Sequence, residues 1–261
     1  MRQVLKTILI LILIAGIGYL LVITNREYRT GQCRGVDISV LSGGEDSLLT
    51  IRQVTHLLGN EYDSLAHRSI EEISLPSIEK TLRQSPFIRD VDVYVTMTRK
   101  LKIKVISFEP LIRVMVNRYS SFYIDHSGRF VPVNHHHPIH ILPVSGNIKI
   151  NIPDSALNRN LHFKAVHNFS VIEEIFNLAK RIDENRFLKA QVDQIYRTGN
   201  DEYELVPKVG DHIIILGSTS LMDKKLKKLE AIYKQAIPRA GWRKYKTINL
   251  KYKNQVVCSK Q

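Results

Sequence analysis

His135, His136, His137 and His140 form the densest group of metal-capable side chains in this 261-residue chain, imidazole being the commonest protein ligand for transition metals. Consecutive residues on an extended segment point to opposite sides, so at most two or three of the four converge. No Cys, Asp or Glu follows within ten residues to complete a set, and Asp125 lies ten residues before the first histidine. The segment therefore reads as a solvated loop running into Pro138, and no metal is assigned.

Asp125-His126-Ser127 holds the three residue types of a hydrolase triad, but consecutively. A triad needs its groups to converge from separate elements, with the serine on a strained elbow of the G-x-S-x-G kind, and that frame is missing. Asp125–Gly128 reads as a turn instead. Glu71-Glu72 and Glu173-Glu174 are sequence neighbours, whereas glycosidase carboxylates face each other across a substrate; solvated faces account for them. Neither G-x-G-x-x-G nor G-x-x-x-x-G-K-[ST] occurs, so no phosphate-cradling loop is expected. These patterns predict binding surfaces, no enzyme, no metal and no cofactor.

The elements that would carry such surfaces are legible from hydropathy. From Thr7 to Asn25 no residue is charged, and as a helix this run spans about 28 Å, close to the ~30 Å hydrocarbon core of a bilayer. Its strongly apolar side chains favour insertion by roughly 4–7 kcal/mol. The run ends in Leu21-Val22-Ile23-Thr24-Asn25 with no A-x-A-like site, which argues against a cleaved signal peptide. A short positive tail, Arg2 to Lys6, precedes the run and a long segment follows it, so the bulk is expected outside the cytoplasm.

Beyond the span, 36 Lys+Arg stand against 25 Asp+Glu once Arg2 and Lys6 are set aside. That excess suits anionic lipids, wall polymers or acidic protein surfaces, and the anchor argues against nucleic acid. The two cysteines, Cys33 and Cys258, give no disulfide framework.

Residues 26–34 read as a polar linker. Val36, Ile38 and Val40 alternate with polar residues as in a strand. Thr50 and Gln53 form a capping box ahead of Ile51, Val54, Leu57 and Leu58, and Pro76 opens a second helix with Ile78 and Leu82 on one face. Val91, Val93, Val95 and Met97, then Leu101, Ile103 and Val105, give two period-two runs joined by a tight turn at Arg99-Lys100, a hairpin with one buried face.

Further strands are expected at 112–116, 122–124, 130–133, 139–142, 192–196, 202–206 and 212–216, with an irregular stretch at 143–166 and a helix around 171–182. Ser220 and Asp223 predict a second capping box. The helix behind it would turn Met222, Leu226, Leu229, Tyr233 and Ala236 inward and Lys224, Lys225, Lys227 and Lys228 outward. Ile248, Leu250 and Tyr252 alternate with polar residues in a last strand.

At this point the chain resembles the bacterial cell-division family FtsQ, called DivIB in Gram-positive bacteria. Ile78–Pro110 is similar to that family's helix, hairpin and Glu-Pro hinge, although the turn keeps Leu101 without the usual proline. FYIDHSGRFVPV resembles its "I-D-x-x-G" strand pair, Leu142–Gly146 (LPVSG) its "L-P-x-x-x-G", and HIIILG its late strand. Ile248–Val257 (INLKYKNQVV) resembles "I-D-L-R-Y-x-x-x-V-V", with Asn249 and Lys251 replacing Asp and Arg.

The resemblance implies an α+β architecture: cytoplasmic tail (1–6), transmembrane signal-anchor (7–25), linker (26–34), POTRA-like βααββ domain (35–108), and a mostly antiparallel β domain with flanking helices (109–258). It implies a non-enzymatic divisome scaffold in the cytoplasmic (inner) membrane, at the division septum, linking early and late division proteins. Its partner would be an FtsB–FtsL coiled-coil pair, bound by strand addition to the last strand. The matching positions are Lys251, Tyr252, Lys253, Gln255 and Val256; the other reading of Ile248–Val257 is an inner strand of the sheet. Lys251 keeps the positive charge of the usual arginine but loses its bidentate fork. Two other readings stay open: a POTRA-containing outer-membrane assembly or secretion factor, and an anchored cell-wall enzyme.

Overall fold

A computed structural model describes residues 2–42, 48–117, 120–134, 139–166 and 169–260. The chain divides into two compact units, Met1–Leu41 with Leu49–Ser107, and Ser42–Leu48 with Phe108–Gln261.

The first unit opens with helix α1 (Arg2–Thr30). Its Leu9–Thr30 segment is long and apolar enough to cross a membrane, and Leu9 to Val22 expose their large apolar side chains. After it come β1 (Val36–Leu41), α2 (Ile51–Leu58), α3 (Asn60–Leu65), a 3-10 turn (Ile70–Glu72), α4 (Leu75–Arg83), β2 (Ile88–Val95) and β3 (Leu101–Ser107). Helix α2 starts at the expected capping box, where the Thr50 side chain accepts from Gln53 N–H and the Gln53 side chain accepts from Thr50 N–H, so two amides that would lack helical partners are satisfied.

Strand β3 is the centre of the small sheet, antiparallel to β2 and parallel to β1. Its alternation explains why: Leu101, Ile103 and Val105 are fully buried and join Val91, Val93, Val54, Ile78 and Leu82 in one core. Lys102 and Lys104 fall on the opposite face. The α+β fold is as expected, with one local correction. Met97 does not continue the buried face of β2; it sits in the Thr96–Lys100 turn and is 92% exposed, because the strand ends at Val95 and Thr96 N–H already closes the hairpin on Lys100 O at 2.9 Å.

The second unit contains β4 (Pro110–Met115), β5 (Ser121–Asp125), β6 (Phe130–Pro132), β7 (Leu142–Gly146), α5 (Asp154–Asn158), α6 (Ser170–Glu184), α7 (Arg186–Gln191), β8 (Val192–Arg197), β9 (Tyr203–Pro207), β10 (Ile213–Gly217), α8 (Met222–Gln235), α9 (Ile237–Ala240), β11 (Tyr245–Asn249) and β12 (Val257–Lys260). The strands form one sheet in the order β12-β11-β10-β9-β8-β7-β4-β5-β6. Helix α6 contributes Ile172, Ile175, Leu178, Ala179 and Ile182 to the core, and α8 contributes Leu226, Leu229 and Tyr233, together with Ile112, Val144, Ile195, Leu205, Ile214 and Ile248 from the strands.

Four sequence expectations shift here. The seventh strand is Leu142–Gly146, starting at the last residue of the expected 139–142 strand and running into the stretch read as irregular; it is held parallel to both β4 and β8, a non-local pairing that no local pattern announces. The second capping box is absent: Leu221, in left-handed backbone at φ 55°, precedes α8 with no side-chain cap, and Ser220 Oγ bonds Ser218 Oγ instead. Lys225, expected outward, is buried, with Nζ donating to Ser218 O at 2.8 Å; Ala236, expected inward, is exposed.

One buried pair is expected to make the second unit sensitive to acid. His212 is buried, and its Nε2 lies 2.8 Å from Tyr233 Oη. Burial lowers the His212 pKa from its ordinary value, with Asp211 pulling weakly the other way. Above about pH 6.5 both folded and unfolded chains are neutral there and nothing is lost. Below it the unfolded chain takes up a proton that the folded chain resists, so stability falls with falling pH until the folded group also protonates, by up to ~1.4 kcal/mol per pH unit. The urea midpoint is expected to drop between pH 7.5 and 5.5, and the drop to shrink in His212→Gln; an equal drop in both would place the acid sensitivity elsewhere.

Candidate functional site

Among the residue groups that could do chemistry, the structure describes Asp125-His126-Ser127 in full. Asp125 is buried and caps its own turn, accepting from Ser127 N–H at 2.9 Å, Ser127 Oγ at 2.7 Å and Arg129 N–H at 2.7 Å. The serine hydroxyl thus points at the aspartate and not at the imidazole. His126 turns into a cleft of about 750 Å³, with Nε2 3.9 Å from Glu109 and Nδ1 3.8 Å from Asp183. Asp183 is itself bonded to Lys189 Nζ at 2.6 Å. This is an ion-pair cluster without a nucleophile in its relay. His135, His136 and His137 lie outside the described residues, while His140 lines the same cleft. Among the described residues no group of three His, Cys, Asp or Glu could hold a metal ion, and both cysteines are free.

The borders of the two sheets are more informative, because an uncovered strand edge is a row of unpaired N–H and C=O groups. Strand β2 is dressed along its outer edge: Arg83 Nη2 donates to Val91 O at 2.9 Å, Val93 N–H reaches Glu79 Oε1 at 3.3 Å, and Val91 N–H reaches Asp90 Oδ1 at 2.9 Å. Arg83 bridges the two carboxylates, 3.7 Å from Glu79 and 3.1 Å from Asp90. Strand β6 is covered by the 160–161 loop, with Phe130 N–H on Leu161 O at 2.9 Å and Asn160 Nδ2 on Phe130 O at 3.0 Å; Pro132 has no N–H to offer. Strands β1 and β12 each have a strand on one side only among the described residues.

Strand β12 differs from β1 in what surrounds it. The segment expected as one strand, Ile248–Val257, is divided. Strand β11 runs parallel to β10 as far as Asn249, Leu250 is the last buried side chain and its N–H bonds Ile215 O at 2.9 Å, and Asn249 Oδ1 then accepts from Lys251 N–H at 3.0 Å. That local side-chain bond competes with strand continuation, and the polar run Lys251–Gln255 bends through solvent before the chain returns antiparallel as β12. Lys251, Tyr252, Lys253 and Gln255 are therefore exposed on the bend and Val256 is half-buried against the core; none lies on the edge strand itself.

The bend is fixed from below. Lys228 Nζ donates to Tyr252 O at 2.6 Å, and Lys251 Nζ pairs with Glu202 at 2.6 Å. Lys224, Lys225, Lys228, Lys251 and Lys253 line a small cleft of about 210 Å³ there with Glu202 as the acid. Burial lowers the Lys225 pKa; Glu202 counters this and the charges of Lys228 and Lys251 reinforce it. Sequence periodicity missed this lysine because α8 alternation alone places it outward. Tyr252 is 48% and Val257 43% exposed. A basic shoulder, one exposed aromatic ring and an open strand edge thus meet at one end of the large sheet, a combination suited to an extended, acidic protein segment.

Comparison with known proteins agrees with this architecture. No curated protein matches the chain. Residues 31–106 match the POTRA-like domain. Residues 109–259, more than half of the chain and the large sheet from β4 to all but the last residue of β12, match the family described as FtsQ/DivIB, C-terminal related. With the strand, double-helix and hairpin unit in front and that β domain behind, the chain belongs to the FtsQ/DivIB family of bacterial cell-division proteins.

Proposed function

We propose that the chain is a membrane-anchored, non-catalytic scaffold of the divisome that holds an FtsB–FtsL-type coiled-coil pair at its last strand. Helix α1 anchors it in the cytoplasmic membrane, with both units outside the cytoplasm, and the protein gathers at the septum to help control septal peptidoglycan synthesis. The observation that carries the reading is the β12 border: it lacks a strand on its outer side among the described residues, while β2 and β6 are dressed by side chains or a loop. A partner strand laid there completes the ladder with main-chain hydrogen bonds. Lys251, Tyr252, Lys253, Gln255 and Val256 form the shoulder beside it, supplying charge and one aromatic contact. The cellular test is depletion: cells are expected to grow as filaments without septa, and the tagged protein to collect at midcell. Normal division after depletion, or even staining of the whole membrane, contradicts the proposal.

A further inference from the structure

The most exposed large apolar side chain among the described residues is Met97, at 92%. It lies in the β2–β3 turn, and the end of α1 together with the segment that follows it is tied to that turn at three places. Tyr28 Oη donates to Thr96 O at 2.7 Å. Gly31 lies flush against the Arg99 guanidinium, with no room there for a Cβ. Arg34 N–H donates to Arg99 O at 2.8 Å. Arg99 itself adopts left-handed backbone, φ 62°, which turns the chain back into β3. The end of the anchor helix and residues 31–34 after it are therefore joined to both backbone and side chain of the same five-residue turn.

Depth follows from helix geometry. The apolar run ends at Ile23-Thr24, so the Tyr28 Cα lies about 6 Å beyond the hydrocarbon boundary at 1.5 Å per residue. The headgroup layer on each side of a bilayer is itself roughly 5–7 Å deep. A helical side chain leans toward the helix N-terminus, which for Tyr28 is the membrane side, so the Thr96 carbonyl it reaches belongs at headgroup level. Met97 is the next residue. Arg26 and Arg29 near the end of α1 and Lys100 in the turn are exposed and Arg99 is half-exposed, four cations near the level where lipid phosphates sit. The acidic Glu71 and Glu72 are on the 3-10 turn, and Glu72 is occupied in capping Ser69 N–H at 3.3 Å.

We propose that the Thr96–Lys100 turn is a membrane contact: Met97 enters the interface and Arg99 and Lys100, with Arg26 and Arg29, bind anionic phospholipid headgroups. An apolar tip flanked by cations suits the interfacial layer, and the contact fixes the small domain against the bilayer instead of leaving it on a free tether. This inference rests on α1 being a membrane anchor, and the test separates the two. The full chain, with Cys258→Ser and the native buried Cys33 left in place, carries a spin label at Met97→Cys, Leu13→Cys or Asp92→Cys and is reconstituted into vesicles of phosphatidylcholine and phosphatidylglycerol. Collisions with lipid-soluble oxygen and with a water-soluble nickel complex then report depth.

The label at 97 is expected to show a severalfold higher oxygen-to-nickel ratio than the label at 92, which lies about 16 Å back along the strand, and the ratio is expected to fall when phosphatidylcholine replaces all phosphatidylglycerol. A label at 13 in lipid with a label at 97 in water overturns the turn contact and leaves the anchor standing. A label at 13 in water overturns both. A ratio at 97 that ignores lipid charge overturns the headgroup assignment.

Discussion

Tyr252→Glu is expected to weaken binding of the proposed coiled-coil partner by one to two orders of magnitude, about 1.4–2.8 kcal/mol, without unfolding the protein. Tyr252 is 48% exposed and outside the core, so its replacement removes little folding energy. Tyrosine, with tryptophan and arginine, is enriched among the residues whose truncation dominates an interface. A carboxylate at 252 has a second effect: it places a negative charge beside Lys228 and Lys253, in the cleft both residues line, and so competes with an acidic partner for the same cations. Tyr252→Phe keeps the ring and is expected to bind within a few-fold of the parent. Calorimetric titration of the full chain in nanodiscs with the coiled coil measures both variants. Equal affinity for Tyr252→Glu and the parent, with the fold intact, moves the docking surface away from the bend.

Gly146→Ala is expected to cost about 3–5 kcal/mol of stability in the second unit, a large fraction of the ~5–15 kcal/mol that ordinary domains possess. Gly146 has φ 109°, a backbone state that L side chains enter only with strain. It is also the last residue of β7, paired with Arg197 of β8, and a Cβ there would press on the Arg197 backbone. Neither strand can yield easily. Asn147 N–H donates to Arg197 O at 2.7 Å, and Arg197 Nη1 returns a bond to Asn147 O at 2.6 Å, while Arg197 Nη2 holds Asp201 at 2.9 Å. Urea unfolding followed at Trp242, the single tryptophan, reads this change. A midpoint unchanged from the parent would mean that β7 and β8 separate without cost at this point.

The parts of the fold legible in sequence are those governed by local physics. The β2–β3 hairpin follows from strict alternation around Leu101, Ile103 and Val105, the start of α2 from Thr50 and Gln53, and the membrane-length helix from its uninterrupted apolar run. The missed parts depend on partners far along the chain. Strand β7 is fixed by β4 and β8, although its own residues, Leu-Pro-Val-Ser-Gly, contain a proline and a glycine that argue against a strand. Lys225 is drawn inward by the Ser218 carbonyl, a contact that helical periodicity cannot express. The division of the last strand turns on one side-chain bond from Asn249 to the Lys251 amide. Consequently family resemblance singles out 251–256 as a stretch, but not its position on a bend ahead of the edge strand.

Partner docking as proposed requires β12 to be the acceptor strand. Backbone hydrogen exchange of the full chain, with and without the coiled-coil partner, addresses it directly. Amides of Val257–Lys260 are expected to gain protection when the partner is added, while those of β2 and β6, already satisfied by Glu79, Asp90 and Leu161, keep their rates. Unchanged exchange along β12 in a saturated complex, with new protection on another border, contradicts it.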